Sequence, residues 1–391
     1  MRAQDLAIEE RVDEGAFQTE QVLTISSGHF VHDVYSAFLA PLLPLLIEKM
    51  SLTLTLAGSL SAFVQLPAIL TPFVGHLADK YNLRYLVIIA PALTATAMSA
   101  MGLAPNYVSL ALILLLSGLS SAIFHAPAPA MVGQISGMRV GKGMSWFMGG
   151  GELARTVGPL VAVWAASLWG LEGMFRIVVI GWATSGLLFL RLKDIPVSAR
   201  RKGSLQSILP KLRTLFLPLL IIQFFRMFMV VCMTSYLPTY MNLNGATLFL
   251  AGASLSVLEL AGFAGALSGG TLSDRLGRKP LLMGITILAP LLMIAFLNVS
   301  GWLLVPVLLS YGFVSISAGP VFLALIQDNF PENRAVSNGI YISMNFLLRS
   351  LVLVIVGMAG DTFGLQTAFM GSAAISLLGL VGIFMLPAEN V

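Results

Sequence analysis

Apolar runs, each about as long as a bilayer is thick, follow one another along almost the whole chain and are separated by short polar turns. A helix needs about 20 residues to cross a hydrocarbon core of roughly 30 Å. Twelve such runs can be placed, near 22–48, 52–78, 83–103, 106–132, 143–169, 173–192, 214–241, 246–272, 278–298, 301–326, 335–360 and 365–387. They are continuously apolar rather than alternating, so the pattern predicts helices that satisfy their own backbone hydrogen bonds, not the strands of a barrel. Composition supports the same class. With 57% hydrophobic and 10% charged residues and a mean hydropathy of +0.89, the chain has too little polar surface for a soluble domain of its length. The expected fold is all-α and integral to the membrane.

The chain also repeats itself. Gly75-His-Leu-Ala-Asp79-Lys80 returns as Gly270-Thr-Leu-Ser-Asp274-Arg275 at an offset of 195, close to half of the 391 residues. At an offset of 194, Leu56-Ala-Gly58 meets Leu250-Ala-Gly252, Gln65 meets Glu259, Arg155 meets Arg349, and Gly170-Leu171 meets Gly364-Leu365. Twelve helices in two pseudo-symmetric six-helix halves are predicted, an arrangement typical of secondary transporters that pass a substrate between repeats. The expected divisions are a cytoplasmic tail at 1–20, a first half at 21–192, a linker at 193–213 and a second half at 214–391. Lys and Arg gather in the loops after even-numbered spans, among them Lys80, Arg84, Arg139, Lys142, the cluster Arg200-Arg201-Lys202, Arg278 and Lys279. By the positive-inside rule both termini are expected in the cytoplasm. Residues 1–20 are polar and acidic, so no signal peptide is expected there.

Several chemistries receive no support. The single cysteine, Cys232, lies inside an apolar span, so neither a disulfide framework nor a cysteine metal cluster is expected. The sequence has no phosphate-binding glycine loop, no dinucleotide fingerprint and no catalytic triad spacing. An enzyme, a nucleotide-driven pump, a bound cofactor and a nucleic-acid partner are therefore not expected. Transport would be driven by a gradient.

The two loops Gly75-His-Leu-Ala-Asp79-Lys80-Tyr-Asn82-Leu-Arg84 and Gly270-Thr-Leu-Ser-Asp274-Arg275-Leu-Gly277-Arg278-Lys279 resemble the signature loop of the major facilitator superfamily. The first copy departs from the pattern, with Lys80 where Arg is usual and Asn82 where Gly is usual. Gly149-Gly-Gly151 followed by Gly158-Pro159 resembles the Gly-Pro motif of proton-coupled antiporters. Ser27-Gly-His29-Phe-Val-His32-Asp33, Ala122-Ile-Phe124-His125 with Pro127, and Gly158-Pro159-Leu160 are similar to the fosmidomycin-resistance branch of efflux proteins. The resemblance implies the major facilitator fold, with helices 3, 6, 9 and 12 facing lipid and the other eight around a central cavity. It also gives Gly75, Asp79, Lys80, Gly270, Asp274, Arg275, Arg278, Gly158 and Pro159 the role of gating positions.

Charges at membrane depth are expensive unless paired or facing water, so they mark candidate sites. Asp33 falls in the first span, Glu152 and Arg155 in the fifth, Arg226 in the seventh, Glu259 in the eighth and Arg349 in the eleventh. Spans 3, 6, 9 and 12 carry none mid-span. His29, His32 and Asp33 are spaced i, i+3, i+4 and share one helix face. Imidazoles there are suited to pass protons to a carboxylate, to bond a substrate, or equally to ligate a divalent cation with His125 as a third nitrogen. Proton coupling is assigned to Asp33, His29, His32, Glu152 and Glu259. Substrate binding is assigned to Arg226 and Arg349, each with an amide one turn away at Gln223 and Asn345, and to Arg155 and His125, since guanidinium groups hold oxyanions bidentately. The sequence thus predicts a monomeric, proton-coupled inner-membrane exporter of a small anionic organic compound or drug. A proton-linked organic-acid importer and a divalent-metal exporter are the alternatives.

Overall fold

The computed structural model describes residues 17–78, 81, 83–192, 212–330 and 334–387. The 1–16 part of the expected tail, the 193–211 part of the linker, and Asp79, Lys80 and Asn82 lie outside these residues. The described residues are helical wherever the apolar pattern runs. Ten stretches are long and apolar enough to cross a membrane, and Leu54–Leu70 is a shorter apolar helix. Two details bring this to twelve crossings. The 56-residue stretch Gly137–Leu192 turns back at Gly170, whose φ of 71° and ψ of 171° leave the helical region. Leu54–Leu70 continues as Thr71–Ala78 after a 3-10 segment that begins at Leu66 and contains Pro67.

We number the helices α1 (Thr19–Met50), α2 (Leu54–Leu70 with Thr71–Ala78), α3 (Arg84–Leu103), α4 (Tyr107–Ile135), α5 (Val140–Gly173), α6 (Val178–Leu192), α7 (Thr214–Leu243), α8 (Leu248–Leu276), α9 (Arg278–Asn298), α10 (Gly301–Asn329), α11 (Arg334–Phe363) and α12 (Leu365–Met385). An even number of crossings returns the chain to the side on which it enters.

The repeat is written into the backbone as well as the sequence. Thr53 caps α2 by accepting from Leu56 N, and Thr247, 194 residues on, caps α8 by accepting from Leu250 N. Ser51 and Gly245 both take left-handed φ values, 49° and 89°, in the turns before those caps. Gly170 and Gly364, at 71° and 80°, turn the chain into the last helix of each half. Glycine suits that conformation because a Cβ would clash with the backbone.

The halves meet along two seams, α2 against α11 and α5 against α8. Gly58 and its repeat partner Gly252 sit one in each. A Cβ at Gly58 would lie 2.4 Å from Leu353 O, and one at Gly252 would lie 2.6 Å from Val163 Cγ1. Small residues here let backbones approach where no hydrophobic effect is available to drive helices together. Apolar clusters fill the rest. One, around Leu42, Leu46, Leu60, Met98 and Leu114, belongs to the first half. Another, around Met229, Met233, Leu255, Met293 and Phe369, belongs to the second and also receives Ala62 of α2.

At the end of the bundle opposite Thr19 and Met385 the α2/α11 seam carries a polar latch. Asp361, on α11, accepts from Leu54 N at 2.7 Å and Thr55 N at 2.8 Å and from the Thr55 hydroxyl at 2.5 Å. A carboxylate of one half therefore caps the helix N-terminus of the other, where free N–H groups and the helix dipole both favour an anion.

Candidate functional site

Helix α1 supplies the first group of polar residues. His29 Nδ1 donates to Phe147 O at 2.8 Å, and the ring stacks on Phe147 at 4.0 Å between centroids. His32 stacks on Phe124 at 4.7 Å and donates from Nδ1 to Asp33 Oδ1 at 2.7 Å. His125, at the end of an α4 segment followed by Pro127, donates from Nδ1 to Ser121 O at 3.0 Å. Carbonyl oxygens only accept, so these bonds place the proton of each neutral His29 and His125 ring on Nδ1 and leave Nε2 with its lone pair.

Those two Nε2 atoms face each other at 3.2 Å. Asp33 stands beside both, at 3.1 Å from His29 Nε2 and 3.4 Å from His125 Nε2. Two lone pairs and a carboxylate converge, an arrangement with room in its chemistry for one cation. A proton on either Nε2 turns the repulsion between lone pairs into a hydrogen bond and gives Asp33 a charged partner. His29, Asp33 and His125 offer one ligand atom each within 4.8 Å of one another, the donor set that a divalent cation would also use. His32 stands outside that convergence, its Nε2 buried without a partner. Gly151 makes the room, since a Cβ there would come within 2.6 Å of His29 Cε1 and 2.8 Å of His29 Nε2.

A second group joins the halves. Arg155 and Glu152, one turn apart on α5, are in direct contact, and Arg155 Nε lies 3.7 Å from Glu259 Oε2 on α8. The i, i+3 pair on α5 is thus part of a triad that crosses the α5/α8 seam. Glu259 is 8% exposed and its Oε2 makes no hydrogen bond.

The remaining cations belong to the second half. Arg226 donates from Nη2 to Ser315 O at 2.5 Å and from Nη1 to Gln223 Oε1 at 3.4 Å, and Gln223 donates onward to the Tyr341 hydroxyl. Arg349 donates from Nη2 to Thr234 Oγ1 at 2.9 Å and Ser235 Oγ at 3.0 Å. Among the described residues the Nε atoms of both arginines are buried without hydrogen-bond partners. Among the described residues neither guanidinium lies within ion-pair distance of a carboxylate. Arg349 is an electrostatic neighbour of Glu259, Arg155 and Arg226, so the charged groups form one connected set.

Of the gating positions, Asp274 pairs with Arg278 at 2.6 Å, and Arg278 reaches Asp328 at 3.3 Å and also contacts Ser273. These bonds lie within the second half. Asp274 and Arg275 are exposed, Gly75 lies in α2 and Gly270 in α8. A Cβ at Gly158 would meet Ala37 Cβ at 2.6 Å and Val34 O at 2.8 Å, so that glycine lets α5 lie close on α1. Pro159 sits within the continuous α5. Sequence reasoning missed Tyr341, Phe147, Thr234, Ser235, Tyr236 and Asp361. Tyr341 had a readable signal, since Tyr341, Asn345 and Arg349 follow at i, i+4, i+8 on one face of α11.

A twelve-helix bundle of two repeated halves, glycine-sealed at its seams and with membrane-depth charges on the helices between them, is the architecture of a transporter rather than an enzyme. Residues 25–353 match the Major Facilitator Superfamily, and the chain belongs to that family. It is 26% identical to the fosmidomycin resistance protein of Escherichia coli (strain K12), over 92% of this chain and 91% of that protein. It is 28% identical to the multidrug resistance protein MdtG of Citrobacter koseri, over 68% of this chain and 70% of that protein. In fold it is similar to a D-xylose–proton symporter, with a TM-score of 0.78 at 15% identity over 96% of this chain and 99% of that one. It is also similar to a bacterial homolog of the human lysosomal transporter Spinster, with a TM-score of 0.80 at 13% identity over 94% and 96% of the two chains. The chain is a multi-pass membrane transporter of the superfamily with efflux-type relatives.

Proposed function

We propose that the protein is a proton-coupled exporter of a small anionic organic compound, working by alternating access as a monomer in the bacterial inner membrane with both termini in the cytoplasm. The observation that carries this reading is the division of charge between the halves. The first half holds Asp33 among three imidazoles, a cluster able to gain and lose one cation. Among the described residues, the second half holds two guanidinium groups, Arg226 and Arg349, with no carboxylate within ion-pair distance. Half-buried guanidinium groups without a carboxylate partner suit an oxyanion, and the imidazole–carboxylate cluster suits a proton. Arg155, tied to Glu152 in its own half and to Glu259 in the other, stands between them.

Export is favoured over import by the names of the relatives, which are resistance proteins. Fosmidomycin is the first compound to test. Inverted membrane vesicles with an acidic lumen are expected to accumulate it as protons leave, and an uncoupler should stop the accumulation. Accumulation only in right-side-out vesicles, driven by acid outside, would instead support an organic-acid importer. The His29, Asp33 and His125 donor set favours one further reading, a divalent-metal exporter. That reading requires the inverted vesicles to accumulate a divalent cation under the same gradient.

A further inference from the structure

Helix α7 opens on a π turn, Leu212–Phe216, and departs from α geometry again in its interior at Cys232–Tyr236, a second π turn. Pro238 follows, and its ring has no N–H to donate to the Thr234 carbonyl. Single π turns inside helices concentrate at functional sites. The side chains of this one point to two different parts of the molecule. Thr234 and Ser235 both receive Arg349 Nη2, at 2.9 and 3.0 Å. Consecutive residues of an α-helix diverge by about 100°, so the wider turn helps both hydroxyls reach one nitrogen. The next residue, Tyr236, is fully buried at the α2/α11 seam. Its hydroxyl lies 3.1 Å from Leu54 O in the first half and 2.8 Å from Leu353 O in the second. The seam is shaped around that hydroxyl. A Cβ at Gly58 would stand 2.2 Å from it and one at Gly357 2.7 Å.

We propose that Thr234 and Ser235 are positioning residues that tie Arg349 to the seal between the halves, by holding the π turn in the form that sets the Tyr236 hydroxyl against Leu54. An empty Arg349 keeps both hydroxyls and the seal stays shut. An oxyanion on Arg349 takes the Nη2 donor from them, the turn is free to relax, and Tyr236 is released from Leu54. Occupancy of the anion site would then be felt at the seal through three consecutive residues. This rests on the reading of Arg349 as an anion-binding group, but the link itself is mechanical and can be tested without ligand, so it stands or falls separately from that reading.

The test uses the full-length protein with Cys232→Ser and a reporter Ala62→Cys, a position 7% exposed and packed against second-half side chains. The rate of alkylation reports how often the seam opens. Tyr236→Phe and Arg349→Gln are each expected to raise that rate about tenfold, the loss of roughly one charge-assisted or buried hydrogen bond. Thr234→Val with Ser235→Ala should match Arg349→Gln, and each single hydroxyl deletion should give about threefold. Adding the hydroxyl deletions to Arg349→Gln should change nothing further, because the contact is already gone. The proposal is overturned if Arg349→Gln labels at the parent rate while Tyr236→Phe is fast, or if the two sets of substitutions multiply. The single hydroxyl deletions decide the question should the triple variant not fold.

Discussion

Removing the Asp361 carboxylate tests the same seal through a second contact of Leu54. Asp361→Ala deletes three hydrogen bonds that cross between the halves, to Leu54 N, Thr55 N and the Thr55 hydroxyl. Each net bond contributes about 0.5–1.5 kcal/mol, and the helix N-terminus adds about 0.3–1 kcal/mol. Asp361 is an exposed residue, so water competes for every one of these contacts, and we take the low part of the range, about 2 kcal/mol in all. The bonds exist only while the seam is closed at that end. The loss therefore falls on the opening equilibrium, not on folding, and 2 kcal/mol corresponds to about a 30-fold rise in the open fraction. Alkylation of Ala62→Cys on the Cys232→Ser background should accelerate by that factor in Asp361→Ala. It should accelerate by less in Asp361→Asn, which keeps an acceptor oxygen but not the charge. A labelling rate within twofold of the parent, on protein that remains monodisperse, would refute the latch and leave the seam held by the glycine contacts and Tyr236.

Other substitutions probe the site itself. Gly151→Ala places a Cβ 2.6 Å from His29 Cε1, so the ring must move off Phe147 O. Gradient-driven uptake should fall at least tenfold while the thermal midpoint moves by only a few degrees, and normal uptake would show that the cluster tolerates displacement. Arg226→Ala should weaken binding of the transported anion by about 2–5 kcal/mol, and Arg226→Lys, which keeps the charge without the planar fork, should fall between it and wild type. Wild-type affinity in both Arg226→Ala and Arg349→Ala, measured by direct binding, would exclude the anion reading.

Much of the fold could be read from the sequence because bilayer thickness fixes helix length and the repeat fixes pairing. Gly58 and Gly252 were aligned from sequence, and both are seam contacts. The membrane-depth charges were legible for a similar reason, since an Asp or Arg in an apolar run stands out. Their partners on other helices were not. That Arg155 also reaches Glu259 depends on how α5 crosses α8, and no spacing along one helix encodes that crossing. Asp361 was invisible for a further reason. It lies at the end of a span, where a carboxylate is ordinary, and only the fold brings it to the first turn of α2, 306 residues away from Thr55. The π turn at Cys232–Tyr236 was hidden as well, because Pro238 near a helix end signals a break without saying which form the break takes.

In the proposed mechanism Asp33 and its imidazoles couple protons to the movement of an anion held by the second half. The most direct measurement compares two modes of transport in proteoliposomes carrying Asp33→Asn, namely uptake driven by a pH gradient and exchange of labelled for unlabelled substrate with no gradient. Asn keeps the shape of Asp33 and a hydrogen-bond acceptor for His32, but it cannot offer a charge to a protonated His29 or His125. Proton coupling through Asp33 requires that gradient-driven uptake be lost while exchange persists at a substantial fraction of the wild-type rate. Full gradient-driven uptake by Asp33→Asn would contradict it.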